Sequence, residues 1–207
     1  MNLSFLENIK RESFKEAATK LMNFYGIIKN DSRDNSDSIY RFAEIEFYLY
    51  DANEQDKDIS TYMRDCSCVE WFFHASGVDI AFQTIKDNNE LMRFGGILIR
   101  SIEIYKQDDR QQWQQIGIIG GPKLSMYEIF NHCTAMPDIT TLPESFNKNR
   151  NIINNARIGI HDDLKQRFVF NDVQWDMKTE RIVKKKDSEN KYHIIIDKTK
   201  RKYNPKH

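Results

Sequence analysis

Residues 40–50 read Tyr40-Arg41-Phe42-Ala43-Glu44-Ile45-Glu46-Phe47-Tyr48-Leu49-Tyr50, a run of aromatic and branched side chains that predicts a β-strand. Side chains alternate between the two faces of a strand. One predicted face is apolar and consists of Ala43, Ile45, Phe47 and Leu49. The other combines two carboxylates with rings: Tyr40, Phe42, Glu44, Glu46, Tyr48 and Tyr50. This composition favours a pocket for a planar ligand beside a reactive carboxylate, or a strand buried on both faces with a structural ion pair.

The rest of the chain predicts an α+β fold. Apolar residues at three- and four-residue steps predict a helix over residues 3–27, with Gly26 as its end. Further strands are predicted at 69–75, 78–84, 95–105, 116–119, 156–160 and 167–170, a helix at 124–133, and a hairpin from 181–183 and 192–196. We therefore expect one domain over residues 1–176, with an N-terminal helix and a mostly antiparallel sheet, followed by a basic hairpin and tail over 177–207.

The overall composition is that of an ordinary globular protein. The 207 residues can enclose one sizeable core, and 31 basic residues balance 31 acidic ones, which argues against a broadly basic nucleic-acid protein. No run approaches about 18 apolar residues, and the N-terminus lacks the apolar segment of a secretory signal. Three cysteines cannot all pair, and Cys66-x-Cys68 is not a usual zinc spacing. We expect a reduced, cytoplasmic, monomeric protein without a membrane segment, a metal or another cofactor.

The C-terminal region has a local excess of positive charge. Residues 178–207 contain eleven Lys or Arg and four acidic residues, and Lys184, Lys185 and Lys186 are consecutive. Such a segment is compatible with contacts to phosphates and equally with a solvated hairpin.

Arg100 lies inside the apolar strand predicted at 95–105, on the same predicted face as Leu98 and Ile102. An arginine in that setting needs an anion, because an unpaired buried charge is unfavourable. Glu46 is the natural partner, and a nearby arginine would keep its carboxylate ionised as a base. The alternative is an edge strand on which Arg100 extends into solvent.

Two further residues attract attention in the apolar segments. Asp79 falls in the middle of a predicted strand, where aspartate is rare, and is either a second pocket acid or a ligand of local backbone groups near Gly77. His74 lies among aromatic residues and is either an accessory pocket residue or a satisfied core histidine. The turn ending in Lys123 is too short to be a phosphate-binding loop.

Six motifs in order resemble the alkylpurine (3-methyladenine) DNA glycosylase family. They are Ala18-Thr19-Lys20-Leu21 with Gly26-Ile27-Ile28; Arg41-Phe42-Ala43-Glu44-Ile45-Glu46-Phe47-Tyr48; Gly96-Ile97-Leu98-Ile99-Arg100-Ser101-Ile102-Glu103; Gly121-Pro122-Lys123-Leu124; Ala156-Arg157-Ile158-Gly159-Ile160; and Arg167-Phe168. Each motif is weak by itself, but their common order over residues 14–176 is more specific. The resemblance implies a curved, mostly antiparallel sheet.

The resemblance also implies a reaction. Members of the family flip a damaged purine nucleotide out of the duplex and hold the base between aromatic side chains. It places the general base on Glu46, the stacking platform on Tyr48 and an electrostatic partner on Arg100. It implies hydrolysis by an activated water, with neither a metal nor a lysine Schiff base, so the strand would stay intact.

The chain departs from the family pattern around residues 61–83. Ser76 stands where an intercalating tyrosine is expected, and Phe73 is near the place of a second stacking tyrosine. Asp79 and Gln83 lie near the position of a selectivity asparagine. The family's histidine after the catalytic strand is missing, with Thr61 or Tyr62 near its place. The resemblance thus gives Tyr48, Phe73, His74, Asp79 and Gln83 as candidate base-binding residues.

The leading hypothesis is therefore a monofunctional DNA glycosylase that acts on an alkylated or otherwise modified base in base-excision repair. Its partner is duplex or single-stranded DNA, with Lys123 and Lys184, Lys185 and Lys186 as candidate phosphate contacts. The alternatives are a non-catalytic nucleotide- or nucleic-acid-binding module, and a hydrolase of free modified nucleosides.

Overall fold

The computed structural model describes residues 3–32, 36–55, 57–158 and 166–173, together with the backbone of 181–186 and 192–197. Helices α1 and α2 span Phe14–Phe24 and Pro122–Phe130, and 3₁₀ turns lie at Ser4–Leu6 and Arg11–Ser13. The strands are β1 Tyr25–Asp31, β2 Ser36–Asp51, β3 Trp71–His74, β4 Gly77–Ala81, β5 Ile85–Asp87, β6 Glu90–Gln107, β7 Trp113–Gly120, β8 Asp138–Thr141, β9 Ile152–Asn155, β10 Arg167–Phe170, β11 Arg181–Lys186 and β12 Tyr192–Asp197. The predicted α+β class is confirmed.

The sheet is built around the long antiparallel pair β2–β6. Strand order across the main path is β3-β4-β6-β2-β1-β8, and all of the described strand pairs are antiparallel. β7 pairs with the C-terminal half of β6 and β4 with its N-terminal half, while β10 pairs with the C-terminal half of β2. Each of the two central strands therefore runs through two neighbouring parts of the sheet, which we call half-sheets. One half-sheet contains β4 and β10, and the other contains β7 and β1. β11 and β12 form the predicted hairpin.

A β-bulge separates these half-sheets. Between the pairs Phe42–Ile102 and Ile45–Ile99, the register shifts on either side of Glu44, which pairs with Ser101, and regular alternation is interrupted there. Phe42 and Ile45 consequently lie in the same hydrophobic core. The expectation that Phe42 shares the face of Glu46 is wrong, because strict alternation does not survive the bulge.

The same irregularity corrects the predicted surroundings of Arg100. Ile102 and Ile99 are fully buried in the core, whereas Arg100 and Leu98 line a cavity on the opposite side of the sheet. Arg100 therefore shares a face with Leu98 but not with Ile102. The bulge places a charged side chain beside an apolar core without burying its charge inside it.

The N-terminal helix is shorter than predicted. α1 begins at Phe14 and ends at Phe24, and the next residues form β1, which pairs with both β2 and β8. Gly26 lies within this strand and does not end the helix. A Cβ at Gly26 would lie 2.9 Å from Leu142 Cδ2 and 3.0 Å from the carbonyl oxygen of Tyr40, so glycine permits the close approach of these segments.

The core lies between α1 and the inner face of the sheet. Phe14 of α1 stacks on Phe47 of β2 with ring centroids 4.5 Å apart, and Phe168 of β10 meets Phe47 edge-on at 5.4 Å. Such aromatic pairs add to the stabilisation from apolar burial. β2 is thereby fixed from one side, and the opposite side carries the charged residues.

Two other segments differ from expectation or lie outside the described chain. β9 occupies Ile152–Asn155, where the sequence predicted no strand, and pairs with β10, whose predicted position is confirmed. Residues 156–158 are not a strand, and 159–160 lie outside the described residues. No helix in the described part of the chain is long and apolar enough to span a membrane.

Candidate active site

A cavity of about 300 Å³ opens beside the C-terminal half of β2, near β4; we call it the β4 cavity. Its size is at the lower end of the usual range for small-ligand pockets. It is lined by Tyr48, Ser60, Tyr62, His74, Ser76, Asp79, Leu98, Arg100, Pro122 and Ile158. The lining combines flat rings, hydroxyls and charged groups, as a site for a polar planar ligand requires.

Glu46 lies directly behind this lining. It is fully buried, and its Oε2 accepts hydrogen bonds from Tyr48 Oη at 2.9 Å and from Arg100 Nη1 at 3.1 Å. Its Oε1 accepts the backbone N–H of Ile158 at 2.9 Å. All three donors belong to residues that line the cavity, so the carboxylate and the cavity wall are one connected unit. Tyr48 and Arg100 both contact Glu46, whereas Phe73 and Trp71 contact Phe130 of α2.

Glu44 is the neighbouring carboxylate on the same face. Its Oε1 accepts from Arg167 Nη1 at 2.9 Å, its Oε2 accepts from Ser101 Oγ at 2.7 Å, and Arg100 Nε lies 3.4 Å from Oε1. Arg100 therefore lies between the two glutamates. Unlike Glu46, Glu44 does not reach the residues of the cavity wall other than Arg100.

Asp79 and His74 form a second hydrogen-bonded group in the wall. Asp79 Oδ2 accepts from Arg64 Nη1 at 2.7 Å, and Asp79 Oδ1 lies 2.9 Å from His74 Nε2. The backbone N–H of Ser76 donates to His74 Nδ1, which places the proton of a neutral imidazole on Nε2. Gly96 makes room for this group, because a Cβ there would lie 2.7 Å from Arg64 Nη1.

Tyr48 is held from behind by a fourth ion pair. Arg157 Nη1 donates to Asp58 Oδ2 at 2.6 Å, and its guanidinium lies over the Tyr48 ring at 4.7 Å. Burial alone would raise the pKa of Asp58, but hydrogen bonds from Arg157 and Ser60 outweigh it and lower that pKa. Burial and then the charge of Glu46 raise the pKa of Tyr48 well above its usual value, so the phenol stays protonated and donates.

The buried charges around the β4 cavity balance. Four carboxylates each contact a guanidinium at 3.1 Å or less: Glu44 with Arg167, Glu46 with Arg100, Asp58 with Arg157, and Asp79 with Arg64. Removing one partner of such a pair would leave an uncompensated buried charge. These four pairs of described residues therefore carry no net charge together.

The start of α2 closes one side of the cavity. Gly77 of β4 packs against Pro122, and a Cβ at Gly77 would lie 3.0 Å from Pro122 Cβ and 3.2 Å from Leu98 Cδ1. The N–H of Gly121 and the hydroxyl of Ser125 both donate to the carbonyl oxygen of Arg100. These contacts fix the helix to β6 beside the catalytic candidate Arg100.

The structure brings together most, but not all, of the residues predicted for the site. Tyr48, His74, Asp79 and Arg100 line the β4 cavity, and Glu46 lies behind them. Lys123 is exposed on the first turn of α2, next to Pro122. Lys184, Lys185 and Lys186 lie on β11, but their side chains are outside the described residues.

Phe73 and Gln83 do not line this cavity, contrary to expectation. Along β3 the side chains alternate, so Phe72 and His74 turn toward Arg64 and Asp79, whereas Phe73 meets Phe130 of α2 edge-on at 4.8 Å. Gln83 lies beyond the end of β4, is exposed, and its amide is hydrogen-bonded to the backbone of Cys68 and Thr84.

Sequence reasoning missed several residues of the site. Tyr62, noted only for its position near a missing histidine, lines the cavity with its ring 4.6 Å from that of His74. Arg64 and Arg157 were not identified as partners of Asp79 and Asp58, which lie 15 and 99 residues away in the chain. Of these two arginines, only Arg157 was indicated by the sequence, because it belongs to one of the motifs that resemble the glycosylase family.

A scan against protein-family models finds no match for this chain, and a search of curated proteins finds no similar sequence. The interpretation of the site therefore depends on its own geometry. That geometry contains a buried carboxylate in contact with a wall of rings and hydroxyls, a combination suited to acid–base chemistry on a planar ligand.

Proposed function

We propose that this protein is a monofunctional DNA glycosylase that hydrolyses the N-glycosidic bond of a modified base. The observation that supports this most is the connection of buried Glu46 to the β4 cavity through Tyr48, Arg100 and the N–H of Ile158. A modified base flipped into the cavity would lie against the rings of Tyr48 and Tyr62. The motif order shared with the alkylpurine glycosylases supports the same proposal.

In the proposed reaction, Glu46 acts as general base. Water attacks the sugar carbon C1′, Glu46 takes a proton from it, and the base leaves with the electron pair of the glycosidic bond. Each carboxylate oxygen can accept two hydrogen bonds, so Oε1, which has the N–H of Ile158, can also accept one from the water. Arg100 and Tyr48 position the carboxylate.

No lysine is among the residues that line the β4 cavity within the described chain. A Schiff base with the sugar would need such an amine. The proposed product is therefore an abasic site in an intact strand.

The neutral shell of the cavity favours neutral bases. All four of its carboxylates have arginine partners, and Arg157 already occupies one face of Tyr48. A cationic N-alkylated purine would gain no net attraction from this shell and would be repelled by Arg157 across the ring. We therefore propose a neutral modified base, such as hypoxanthine, as a better substrate than cationic 7-methylguanine.

The decisive experiment measures base release from duplex and single-stranded oligonucleotides, with alkali cleavage of the resulting abasic sites. Glu46→Gln should lower the rate by about 10²–10⁴-fold. Glu44→Gln is the matched control, since it neutralises the adjacent buried carboxylate that shares Arg100. Circular dichroism melts verify that both variants fold. Full activity in Glu46→Gln would overturn the assignment of the base.

Base selectivity is tested in the same assay. Release of hypoxanthine and of 7-methylguanine is expressed relative to the spontaneous loss of each base, because the alkylated nucleotide is intrinsically more labile. We expect an enhancement for hypoxanthine that is larger by about tenfold or more, a difference of at least about 1.4 kcal/mol. A larger enhancement for the cationic base would contradict the charge argument.

The complete burial of Glu46 favours one rival, a non-catalytic nucleotide-binding module in which the Glu46–Arg100 pair is structural. That rival predicts oligonucleotide binding without base release from any substrate. The small cavity also fits a free nucleoside, so inosine should be included as a substrate. Hydrolysis of inosine without action on oligonucleotides would identify a nucleoside hydrolase.

A further inference from the structure

A second cavity of about 270 Å³ lies on the other side of the β-bulge, near β7, and we call it the β7 cavity. Six of its lining residues carry the argument: Arg41, Glu103, Tyr105, Trp113, Gln115 and Arg150. Arg41 and Tyr48 are seven residues apart along β2, or roughly 23 Å at about 3.3 Å per residue. One nucleotide cannot fill both cavities, so the β7 cavity is a separate site.

Among the described residues that line the β7 cavity, two guanidiniums face only one buried carboxylate. Arg150 binds Glu103 through two parallel hydrogen bonds of 2.6 and 2.8 Å, which uses both oxygens of that carboxylate. Arg41 is also buried, next to Glu103 across the β2–β6 pair. Two guanidiniums therefore share one buried carboxylate, and the other acid bound to Arg150, Asp172, has a side chain that is 54% exposed.

The hydrogen bonds of Arg41 go to neutral oxygens. Its Nε donates to the carbonyl oxygen of Met22, and its Nη2 donates to Asn23 Oδ1 and to the carbonyl oxygen of Asn147 at 2.6 Å. Burial, and then the charge of Arg150, lower the pKa of Arg41, and the opposing charge of Glu103 only partly offsets this shift. An anion in the β7 cavity would supply the missing charge.

The ring of Phe170 lies next to both guanidiniums, 4.7 Å from Arg41 and 3.9 Å from Arg150. Its π-system attracts cations but has no net charge. Phe170 thus eases the burial of the two arginines without removing the imbalance.

The remaining wall of the cavity is aromatic. The ring of Phe146 lies 4.5 Å from that of Tyr105 and 6.4 Å from that of Trp113. Beside these rings, the amide nitrogen Gln115 Nε2 is buried and has no hydrogen-bond partner among the described residues. A buried donor without an acceptor is unfavourable, so the site is better satisfied with an acceptor present.

We propose that the β7 cavity binds a nucleotide, with its phosphate next to Arg41, its base against the aromatic wall and an acceptor atom opposite Gln115 Nε2. The same chemistry is offered by a free mononucleotide and by a nucleotide within a DNA strand. The proposal does not rest on glycosylase activity, since it concerns another cavity and other residues.

Calorimetric titration of the full-length protein tests the site with dAMP, with deoxyadenosine, which lacks the phosphate, and with a single-stranded oligonucleotide. We expect dAMP or the oligonucleotide to bind, and deoxyadenosine to bind at least about tenfold more weakly than dAMP, equivalent to about 1.4 kcal/mol. Binding of dAMP identifies a free-nucleotide site, and binding of the oligonucleotide alone identifies a strand-binding site. Failure of both ligands to bind would overturn the proposal.

Gln115→Glu is the sharpest variant, because it places a carboxylate in the cavity that holds the guanidiniums of Arg41 and Arg150. It should lower nucleotide binding by about tenfold or more, while the melting temperature of the empty protein stays the same or rises. Trp113→Leu removes one ring of the aromatic wall and should also weaken nucleotide binding. It replaces Gln115→Glu as the test if that variant does not fold. Tyr127→Ala, at an exposed tyrosine of α2 that lines neither cavity, is the matched control and should leave this binding unchanged. Tyr62→Ala reports separately on binding in the β4 cavity.

Unchanged binding in both Gln115→Glu and Trp113→Leu would exclude the β7 cavity as the site. Loss of binding in Tyr62→Ala alone would place the nucleotide in the β4 cavity instead. Base release by Gln115→Glu, assayed separately, reports on the proposed glycosylase activity, so failure of one proposal is distinguishable from failure of the other.

Discussion

The two cavities lie on the same pair of strands, one on each side of the β-bulge, but their buried charges differ. Around the β4 cavity four carboxylates match four guanidiniums, whereas in the β7 cavity two guanidiniums share one buried carboxylate. A cavity whose carboxylates and guanidiniums are equal in number stays neutral when it binds a neutral ligand. A shell with a surplus cation is stabilised by an anion. Charge balance therefore separates the two sites more clearly than shape or size.

The largest expected difference concerns the removal of one arginine from each cavity. Arg64→Met leaves the buried carboxylate of Asp79 without a guanidinium and should reduce the free energy of unfolding by about 3–5 kcal/mol. Arg41→Met leaves only neutral acceptors unpaired and should cost about 1–3 kcal/mol. Urea unfolding measures both. An equal or greater loss for Arg41→Met would refute the view that its charge is surplus.

A smaller difference is expected for two glycines. At Gly96 a Cβ would lie 2.7 Å from Arg64 Nη1 and 2.9 Å from the carbonyl oxygen of Ile80, so Gly96→Ala should destabilise by about 1–3 kcal/mol. At Gly117, in β7, a Cβ would meet no atom within 4 Å, and Gly117→Ala should change stability by no more than about 0.5 kcal/mol. Thermal melts compare the two variants, and a tolerated Gly96→Ala would mean that Arg64 is loosely held.

Each cavity also contains a tyrosine that donates to the glutamate two residues before it. Tyr48 donates to Glu46 at 2.9 Å, and Tyr105 donates to Glu103 at 3.2 Å. If Glu46 is the general base, Tyr48→Phe should slow base release by about tenfold, or about 1.4 kcal/mol, whereas Tyr105→Phe should leave the rate unchanged. Equal effects of the two variants on the rate would remove the reason for assigning the chemistry to the β4 cavity.

The smallest expected effect is a change in stability at alkaline pH. Burial and then the charge of Glu103 raise the pKa of Tyr105 to about 12, above the value of about 10 in an unfolded chain. The folded state therefore binds more protons between these values, and its stabilisation by Tyr105 is lost as pH rises from 10 to 12. In urea unfolding at several pH values, Tyr105→Phe should show a shallower decline than the wild type. An identical decline would contradict the pKa shift.

Local patterns predicted much of the framework. The apolar and aromatic runs gave the central strands β2 and β6, because period-two alternation is visible within a single segment. The same patterns placed Glu46 with Tyr48 and suggested Arg100 as the partner of Glu46, a contact present at 3.1 Å. An arginine and a glutamate in apolar strands have few alternatives to each other once both are buried.

The bulge and the charge balance depended on tertiary structure. Nothing in residues 40–50 marks the register shifts around Glu44, since the bulge arises from the pairing of β2 with β6. Arg157 reaches Asp58 across 99 residues of sequence, and Arg41 lies next to a Glu103 carboxylate that already binds Arg150 through two hydrogen bonds. The sequence determined the central strands β2 and β6 and the largely buried positions of Glu46 and Arg100 on them. Only the tertiary structure decided which charges meet, because ion pairs between distant segments form when folding brings their elements into contact.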